Sequence, residues 1–426
     1  MFQNMEQIAR TGDLRRRILF TLLMFAVFRL GVYIPVPGVN AAALQTLIQS
    51  NQVTLFGLLN LFSGGAFFTF SVFAMSIVPY INASIIMQLL TVVIPRVEEL
   101  QKEGAEGQKK INQWTRYLTV GLALVQAFGT TVTLNHLTTV NGASVVTSPG
   151  IGSILLIVIV LTAGSVFLMW IGEMITEFGI GNGASLIIFA GIVSRLPSGI
   201  STAIQYLNAG TISILELLVL LLLAVLVIAV VIVMQEGERR VPVQYAKRLV
   251  GRRMYQGTSS HIPIKVNAAG VIPLIFAVSL LFLPQTLASF FPGLHGLANF
   301  LNPGQPFMVV VEFLLVVAFT FFYTGVVFKP NDVADNIRKM GGFIPGIRPG
   351  RPTAQHLEKV SNRITVLGAI FLGMIAVLPS FVVAATGIQV YFGGTALLIV
   401  VGVALDTMKQ IQAQMIMRNY SGFLKS

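Results

Sequence analysis

Long stretches without a single charge separate loops that carry nearly all the basic residues of this chain. Lys, Arg, Asp and Glu are absent from three long segments, Pro35–Phe70, Gln285–Val311 and Thr386–Leu405. Basic residues crowd the stretches Arg96–Arg116, Arg239–Lys265 and Lys329–Arg363. Of 28 Lys and Arg residues, only Arg29 and Arg195 fall outside one alternate set of loops. By the positive-inside rule, this asymmetry predicts a membrane protein whose basic loops are cytoplasmic.

Composition and the lengths of the apolar runs predict the number of spans. With 55% hydrophobic and 10% charged residues, the chain is not a soluble globule. A helix needs about 20 apolar residues to cross about 30 Å of hydrocarbon. We assign ten approximate spans, the fifth of which is short: Ile18–Ile34, Phe70–Ile94, Trp114–Leu134, Ile151–Ile171, Ala184–Leu196, Leu215–Met234, Ala268–Leu283, Phe307–Phe328, Ile364–Ala384 and Val390–Leu405.

Ten spans divide into two halves of five, residues 1–197 and 198–426. An odd number of spans per half places the halves in opposite orientations, as in inverted-repeat membrane proteins. The predicted fold class is therefore all-α: ten transmembrane helices in two inverted five-helix halves, with both termini cytoplasmic. Arg29, about two-thirds along the first span, is expected to extend its charge outward to the interface.

One apolar segment, Thr54–Phe68, is too short to cross. Runs of this length are typical of re-entrant or interfacial helices. If this helix lies at membrane depth, protein or a water-filled cavity must shield it. A helix resting on the outer leaflet is the equally open alternative.

Catalytic motifs are missing from the sequence. It contains no His-Glu-x-x-His pair, no Gly-x-Ser-x-Gly turn and no Walker A loop, so neither a protease nor an ATPase is predicted. The acidic residues Glu216, Glu312 and Asp406 fall near span ends rather than at the midplane that ion-coupled transporters use. We predict a protein that is not an enzyme and that needs no cofactor or metal.

The second span and two cytoplasmic loops are the candidate functional parts. Ile81, Ile85 and Gln88 share one helical face, which indicates either an interior-facing surface or an ordinary packing seam. Four basic residues cluster at the predicted tip of a protruding hairpin, Lys247, Arg248, Arg252 and Arg253. Arg348 lies on a Pro/Gly-rich loop that holds it stiffly. Docking of an acidic or phosphate-bearing partner and a purely topogenic role are the two interpretations of these charges.

Five motifs in this ten-span frame carry a resemblance to a known family. They are Pro79–Ile86 (PYINASII), Gly179–Gly183 (GIGNG), Gly270–Phe276 (GVIPLIF), Phe343–Gly350 (FIPGIRPG) and Tyr391–Thr395 (YFGGT). Together and in this order, they make the chain closely similar to the bacterial type of the SecY (Sec61α) protein-conducting channel family, essentially from end to end.

The resemblance implies an hourglass-shaped channel that opens sideways to lipid through a lateral gate, made largely of spans two and three against spans seven and eight. It implies a pore ring of Ile81, Ile85, Ile188, Ile192, Ile275 and Ile399. It also implies a plug that includes Leu55, Phe56, Leu58, Leu59, Asn60, Leu61, Phe62, Ser63, Gly64 and Gly65. Ile187, the neighbour of Ile188, is the nearest alternative in the ring.

The resemblance further implies the partners of such a channel. Lys247, Arg248, Arg252, Arg253 and Arg348 would dock the motor ATPase SecA or a translating ribosome with its rRNA. The small membrane subunits SecE and SecG, signal sequences, nascent chains and the lipid bilayer complete the set, in the plasma (inner) membrane. Two competing hypotheses from the residues alone are an inverted-repeat transporter of small solutes and a nucleic-acid-binding membrane protein.

Overall fold

The computed structural model describes residues 12–44, 60, 63–136, 145–147, 150–210, 212–245, 248–250, 253–255, 259–288, 296, 305–386 and 394–423. The chain divides into two compact units. The first unit contains Met1–Ile214, Val278–Met308 and Val403–Ser426, and the second contains Leu215–Ala277 and Val309–Gly402. The division at residue 197 remains a prediction.

Helices make up most of the described chain. In chain order they are α1 Gly12–Val32, α2 Val78–Val93, α3 Pro95–Lys102, α4 Ala105–His136, α5 Ile151–Phe178, α6 Gly183–Val193, α7 Leu196–Asn208, α8 Ile214–Glu236, α9 Ile272–Ala288, α10 Pro306–Val327, α11 Pro330–Lys339, α12 Arg351–Thr386 and α13 Gly394–Phe423. The strands are β1 Glu238–Tyr245, β2 Arg248–Val250, β3 Arg253–Tyr255, β4 Ser259–Lys265 and β5 Gly342–Phe343.

Every predicted span overlaps one of these helices. Within the described ranges, seven helical stretches are long and apolar enough to cross a membrane. The pair α2 and α3, bent by 99° at Ile94, would add an eighth. The bend has a local cause, because Ile94 precedes Pro95 and takes the extended backbone that a residue before proline favours. The prediction of a polytopic helical membrane fold is confirmed.

The second span begins eight residues later than predicted. Residues 70–77 form consecutive turns, and α2 starts at Val78. Two backbone hydrogen bonds tie these turns to the chain after α1, from Val36 N to Phe70 O (2.9 Å) and from Val72 N to Ile34 O (3.0 Å). Phe70 belongs to a buried apolar cluster. Buried irregular backbone of this kind has the same hydropathy as a span, which explains the wrong boundary.

The fifth predicted span consists of two helices. The structure has the short helix α6, a turn at Ser194 and Arg195, and then α7. The Asn182 side chain accepts a hydrogen bond from Ser185 N (3.1 Å) and so caps the start of α6. At Gly183, an added Cβ would lie 1.8 Å from the Gly172 carbonyl oxygen of α5, so only glycine allows α5 and α6 to approach this closely.

Side chains from three helices fix the Gly179–Gly183 motif within the first unit. The Thr21 hydroxyl of α1 accepts a hydrogen bond from Ile180 N (3.2 Å). The Gln410 side chain of α13 accepts one from Gly181 N (2.9 Å), and the Thr176 hydroxyl of α5 accepts one from Gly183 N (2.9 Å). The motif therefore sets the position at which α6 leaves α5.

The two basic loops of the second unit, at Glu238–Lys265 and Gly342–Phe343, form a small sheet with its own core. β4, β1 and β5 pair antiparallel in that order, which joins the basic hairpin to the loop that carries Arg348. We call β1, β4, β5 and α11 the sheet platform. Its buried core is apolar, made of Val241, Val243, Ile264, Ile337, Ile344 and Leu357.

Candidate functional site

Four of the predicted pore isoleucines lie on two helices of the first unit. Ile81 and Ile85 are one turn apart on α2, and Ile188 and Ile192 are one turn apart on α6. All four side chains are at most 7% exposed. By contrast, Ile159 on α5 is 62% exposed, as expected for a side chain that faces lipid. The four predicted isoleucines therefore point into the protein. Burial of this kind is expected both for a pore lining and for an ordinary packing seam.

One contact of Ile187 bears on the choice between it and Ile188. An added Cβ at Gly172 would lie 3.5 Å from Ile187 Cδ1, so Ile187 packs against the glycine face of α5. Successive residues of a helix point about 100° apart, because a turn contains 3.6 residues. Ile188 therefore faces away from that contact, and Ile192 shares its face. This packing favours Ile188 as the candidate for the ring.

The second unit contributes the other two isoleucines. Ile275 lies in the first turn of α9, which follows a turn in which the Asn267 side-chain amide donates to Gly270 O (3.0 Å). Ile399 lies on α13 and is completely buried. Neither side chain faces lipid, because Ile275 is 6% exposed. Whether the six isoleucines line a pore remains a prediction.

Four residues of the predicted plug belong to the described chain: Asn60, Ser63, Gly64 and Gly65. The other six lie outside the described residues: Leu55, Phe56, Leu58, Leu59, Leu61 and Phe62. Asn60 and Ser63 are fully buried. Their side chains close a turn, since Ser63 Oγ donates to Asn60 O (3.2 Å) and Phe68 N donates to Asn60 Oδ1 (3.1 Å). We call Asn60, Ser63, Gly64 and Gly65 the plug anchor.

Two arginines contact the plug anchor, although the sequence predicted no site for either of them. Arg29 Nη1 donates to Gly64 O (3.0 Å), and Arg195 Nη1 donates to Asn60 O (3.5 Å). These are the same two basic residues that depart from the charge asymmetry. That departure was the one sequence signal that could have found them, although their partners are backbone carbonyls and leave no trace in the sequence.

Arg348, one of the predicted docking residues, lies in the loop that follows β5 of the sheet platform. Arg348 is exposed, and the loop that carries it is fixed from below by the buried side chain of Ile344. Thr353 Oγ1 donates to Arg348 O (2.9 Å), which ties the loop to the start of α12. This arrangement presents the guanidinium to solvent from a rigid support.

The hairpin tip is described in part. Lys247 and Arg252 lie outside the described residues. The backbones of Arg248 and Arg253 lie in β2 and β3, where Arg248 pairs with Tyr255 and Val250 pairs with Arg253. The predicted extended hairpin is therefore present, and the strand register places Arg248 and Arg253 on opposite strands of its distal part.

Comparison with known proteins identifies relatives over the whole chain. The family described as SecY matches residues 71–408. The chain is 48% identical to the protein translocase subunit SecY of Halalkalibacterium halodurans, with 100% of both chains covered. It is 47% identical to the SecY subunits of Thermus thermophilus (97% of this chain and 95% of the relative) and Escherichia coli K12 (97% and 94%).

Solved structures show the same fold. A SecY channel whose plug domain stabilises the closed state and maintains a membrane seal matches with a TM-score of 0.67 at 17% identity, over 94% of this chain and 92% of that one. Sec61 of a canine ribosome-channel complex from the endoplasmic reticulum matches with a TM-score of 0.63 at 17% identity, with the same coverage. The family match and the full-length relatives settle the assignment: the chain belongs to the SecY family.

Proposed function

We propose that this chain is the central pore subunit of a Sec preprotein translocase. It passes unfolded secretory proteins across the plasma membrane and releases transmembrane segments sideways into lipid. The observation that carries the proposal is full-length similarity to translocase subunits, together with burial of all six predicted pore isoleucines. On this proposal, Ile81, Ile85, Ile188, Ile192, Ile275 and Ile399 line the narrowest part of the path.

An apolar constriction suits a channel that must accept any sequence without leaking ions. Such constrictions block ions by excluding water, and they need no charged ring to do so. Branched aliphatic side chains also close around a passing chain of variable width. The two isoleucine pairs on α2 and α6, each four residues apart, give the lining a depth of about 6 Å along each helix.

The lateral gate lets each segment of the passing chain partition between the aqueous channel and the lipid. We assign it to α2 and α4 on one side and to α9 and α10 on the other, following the family's arrangement. A central Leu or Ile favours insertion by about 0.3–0.6 kcal/mol, whereas a central charge opposes insertion by about 3 kcal/mol. A few residues of the passing segment therefore decide whether it leaves sideways or continues outward.

Partners supply the energy, because the sequence has no nucleotide-binding motif. We propose that the exposed Arg348 and the hairpin residues Lys247, Arg248, Arg252 and Arg253 dock the motor ATPase SecA or the ribosome. The match to a channel from a ribosome complex supports the second partner. SecE and SecG are the expected small subunits, and the expected location is the inner membrane, with both termini in the cytoplasm.

Depletion of the chain from its own host tests the proposed function. We expect secretory precursors to accumulate with their signal sequences uncleaved, because the export path is lost while protein synthesis continues. Plasmid-borne wild-type protein is the matched control and should restore processing. A transporter of small solutes would instead leave precursor processing intact while the uptake of its solute failed, and that result would contradict the proposal.

A further inference from the structure

Two arginines on different segments donate hydrogen bonds to the plug anchor. Arg29 belongs to α1, and Arg195 occupies the turn between α6 and α7. Each donates a hydrogen bond to a main-chain carbonyl of the anchor, at Gly64 and Asn60 respectively. We call Arg29 and Arg195 the arginine latch. Topology gives no reason for these two charges, since they are the exceptions to the alternation of basic and uncharged loops.

Arg29 joins three segments of the first unit. Its Nη1 donates to Gly64 O (3.0 Å) and also to Ser194 Oγ (3.1 Å). Its Nη2 donates to Tyr33 Oη (3.0 Å), and the guanidinium lies 5.2 Å from the centre of the Tyr33 ring. A planar guanidinium has several N–H donors in a fixed fork, so it can donate to these three acceptors at once, which a lysine ammonium could not do in the same geometry. Arg29 therefore connects α1, the plug anchor and the end of α6.

Arg195 makes a weaker contact with the same anchor. Its hydrogen bond to Asn60 O is long, at 3.5 Å, and its guanidinium lies 5.0 Å from the centre of the Phe68 ring. Cation–π contacts of this kind stabilise modestly at exposed sites and more strongly where water is excluded. We therefore expect Arg29 to be the stronger half of the arginine latch.

The anchor itself is stiff and fits closely against α6. Gly64 has a φ of +65°, and an added Cβ there would lie 2.8 Å from Gly191 Cα. Backbone thus packs against backbone at this point. Gly65 N also donates to Asn60 O (3.0 Å), the carbonyl that Arg195 reaches. A rigid turn held by charge-assisted hydrogen bonds can be released as a unit when those bonds break.

We propose that the arginine latch sets how strong a signal sequence must be to open the channel. Arg29 and Arg195 hold the plug anchor against α6 in the resting state, and opening requires those contacts to separate. They are positioning residues that act on the channel through the anchor. The inference rests on the proposed function, because it concerns the threshold for the same transport step.

Weakening the latch should therefore relax selection without blocking transport. In proteoliposomes that contain the complete translocase, motor and ATP, we compare a precursor that carries its natural signal sequence with one whose signal has a shortened apolar core. We expect Arg29→Gln to raise export of the weak-signal precursor about tenfold, since a charge-assisted hydrogen bond contributes about as much as one decade in an equilibrium constant. Export of the natural precursor should stay within about twofold of wild type.

Conservative and partial variants separate this role from general damage to the fold. Arg29→Lys keeps the charge but loses the fork, so its weak-signal export should fall between wild type and Arg29→Gln. Ser194→Ala removes only the contact to α6 and should give a small increase. Arg195→Gln should give a smaller increase than Arg29→Gln. The matched control is Lys102→Gln, which also removes one positive charge and breaks the exposed 2.7 Å pair between Lys102 and Glu98 on α3; it should leave weak-signal export unchanged.

The outcomes distinguish the latch from the proposed function. Absence of natural-precursor export with the wild-type protein would overturn the proposed function itself. A second outcome would overturn the latch alone. In it, the natural precursor is exported normally, and export of the weak-signal precursor is unchanged in both Arg29→Gln and Ser194→Ala. An equal increase in Lys102→Gln would also overturn it, because the loss of any ion pair would then suffice.

Discussion

Replacing Ile81, Ile85 and Ile275 together with glycine is expected to raise the ion conductance of the resting channel severalfold. Each of these side chains is buried, at 6–7% exposure, so each substitution removes four carbons from a protein interior. An apolar constriction excludes ions only while it is narrow enough to stay dry. Widening it admits water, and ions follow. Single-channel recording in planar bilayers measures the change.

Two variants keep this result interpretable. The triple change to leucine keeps the aliphatic volume and should leave the conductance near that of wild type. Glycine at the lipid-exposed Ile159 imposes a comparable helix penalty of about 1 kcal/mol but should leave the channel tight. If the triple glycine variant has the conductance of wild type, these isoleucines do not form the barrier. The same conclusion would follow if Ile159→Gly raised the conductance as much as the triple glycine variant does.

Replacing Arg348 with glutamate is expected to reduce motor-driven export at least about tenfold, because charge reversal at a docking contact costs 2 kcal/mol or more. The side chain is exposed, while the loop is fixed through the Arg348 carbonyl and the buried Ile344. The substitution should therefore leave the fold intact. ATP-dependent uptake of a precursor into proteoliposomes measures the loss.

Lys359→Glu is the matched control for that substitution. Lys359 is exposed near the start of α12, which follows the Arg348 loop, and the reversal changes net charge equally. We expect its export rate to stay close to wild type if docking is specific to the loop. A loss in Lys359→Glu as large as that in Arg348→Glu would instead indicate a diffuse electrostatic effect. Wild-type export in Arg348→Glu would refute the docking role outright.

The sequence predicted the spans well wherever an uncharged apolar run ends at charges. The helix α8, at Ile214–Glu236, matches the predicted Leu215–Met234, and α10, at Pro306–Val327, matches Phe307–Phe328. It predicted α4 and α12 too short, because both helices begin with polar turns before the apolar run. Hydropathy reports the lipid boundary, whereas a helix ends where its backbone hydrogen bonds end.

The parts that sequence could not supply are contacts between distant backbones. The turns before α2 are apolar and buried, so their hydropathy is that of a span although their carbonyls pair with the chain after α1. Arg29 was expected only to extend outward, and its bond to Gly64 O spans 35 positions of the chain. The sheet platform was also missed as a unit: the hairpin and the Arg348 loop were predicted separately, and β5 joins them through two residue pairs.

The identities of the pore residues came from the family resemblance, and spacing alone would have left them as a packing seam. What the structure adds is orientation. Ile187 packs on Gly172, and Ile188 points about 100° away from that contact, a distinction that apolar periodicity could not make in a helix that is hydrophobic nearly all round.

Site-specific photocrosslinking to a stalled secretory precursor tests most directly whether these isoleucines contact the moving chain. The probe replaces Ile81 or Ile275 in turn, with the exposed Ile159 as the reference position. We predict precursor adducts at Ile81 and Ile275, and only lipid adducts at Ile159. Adducts of equal yield at all three positions, or none at Ile81 and Ile275 while the precursor is stalled, would contradict the account.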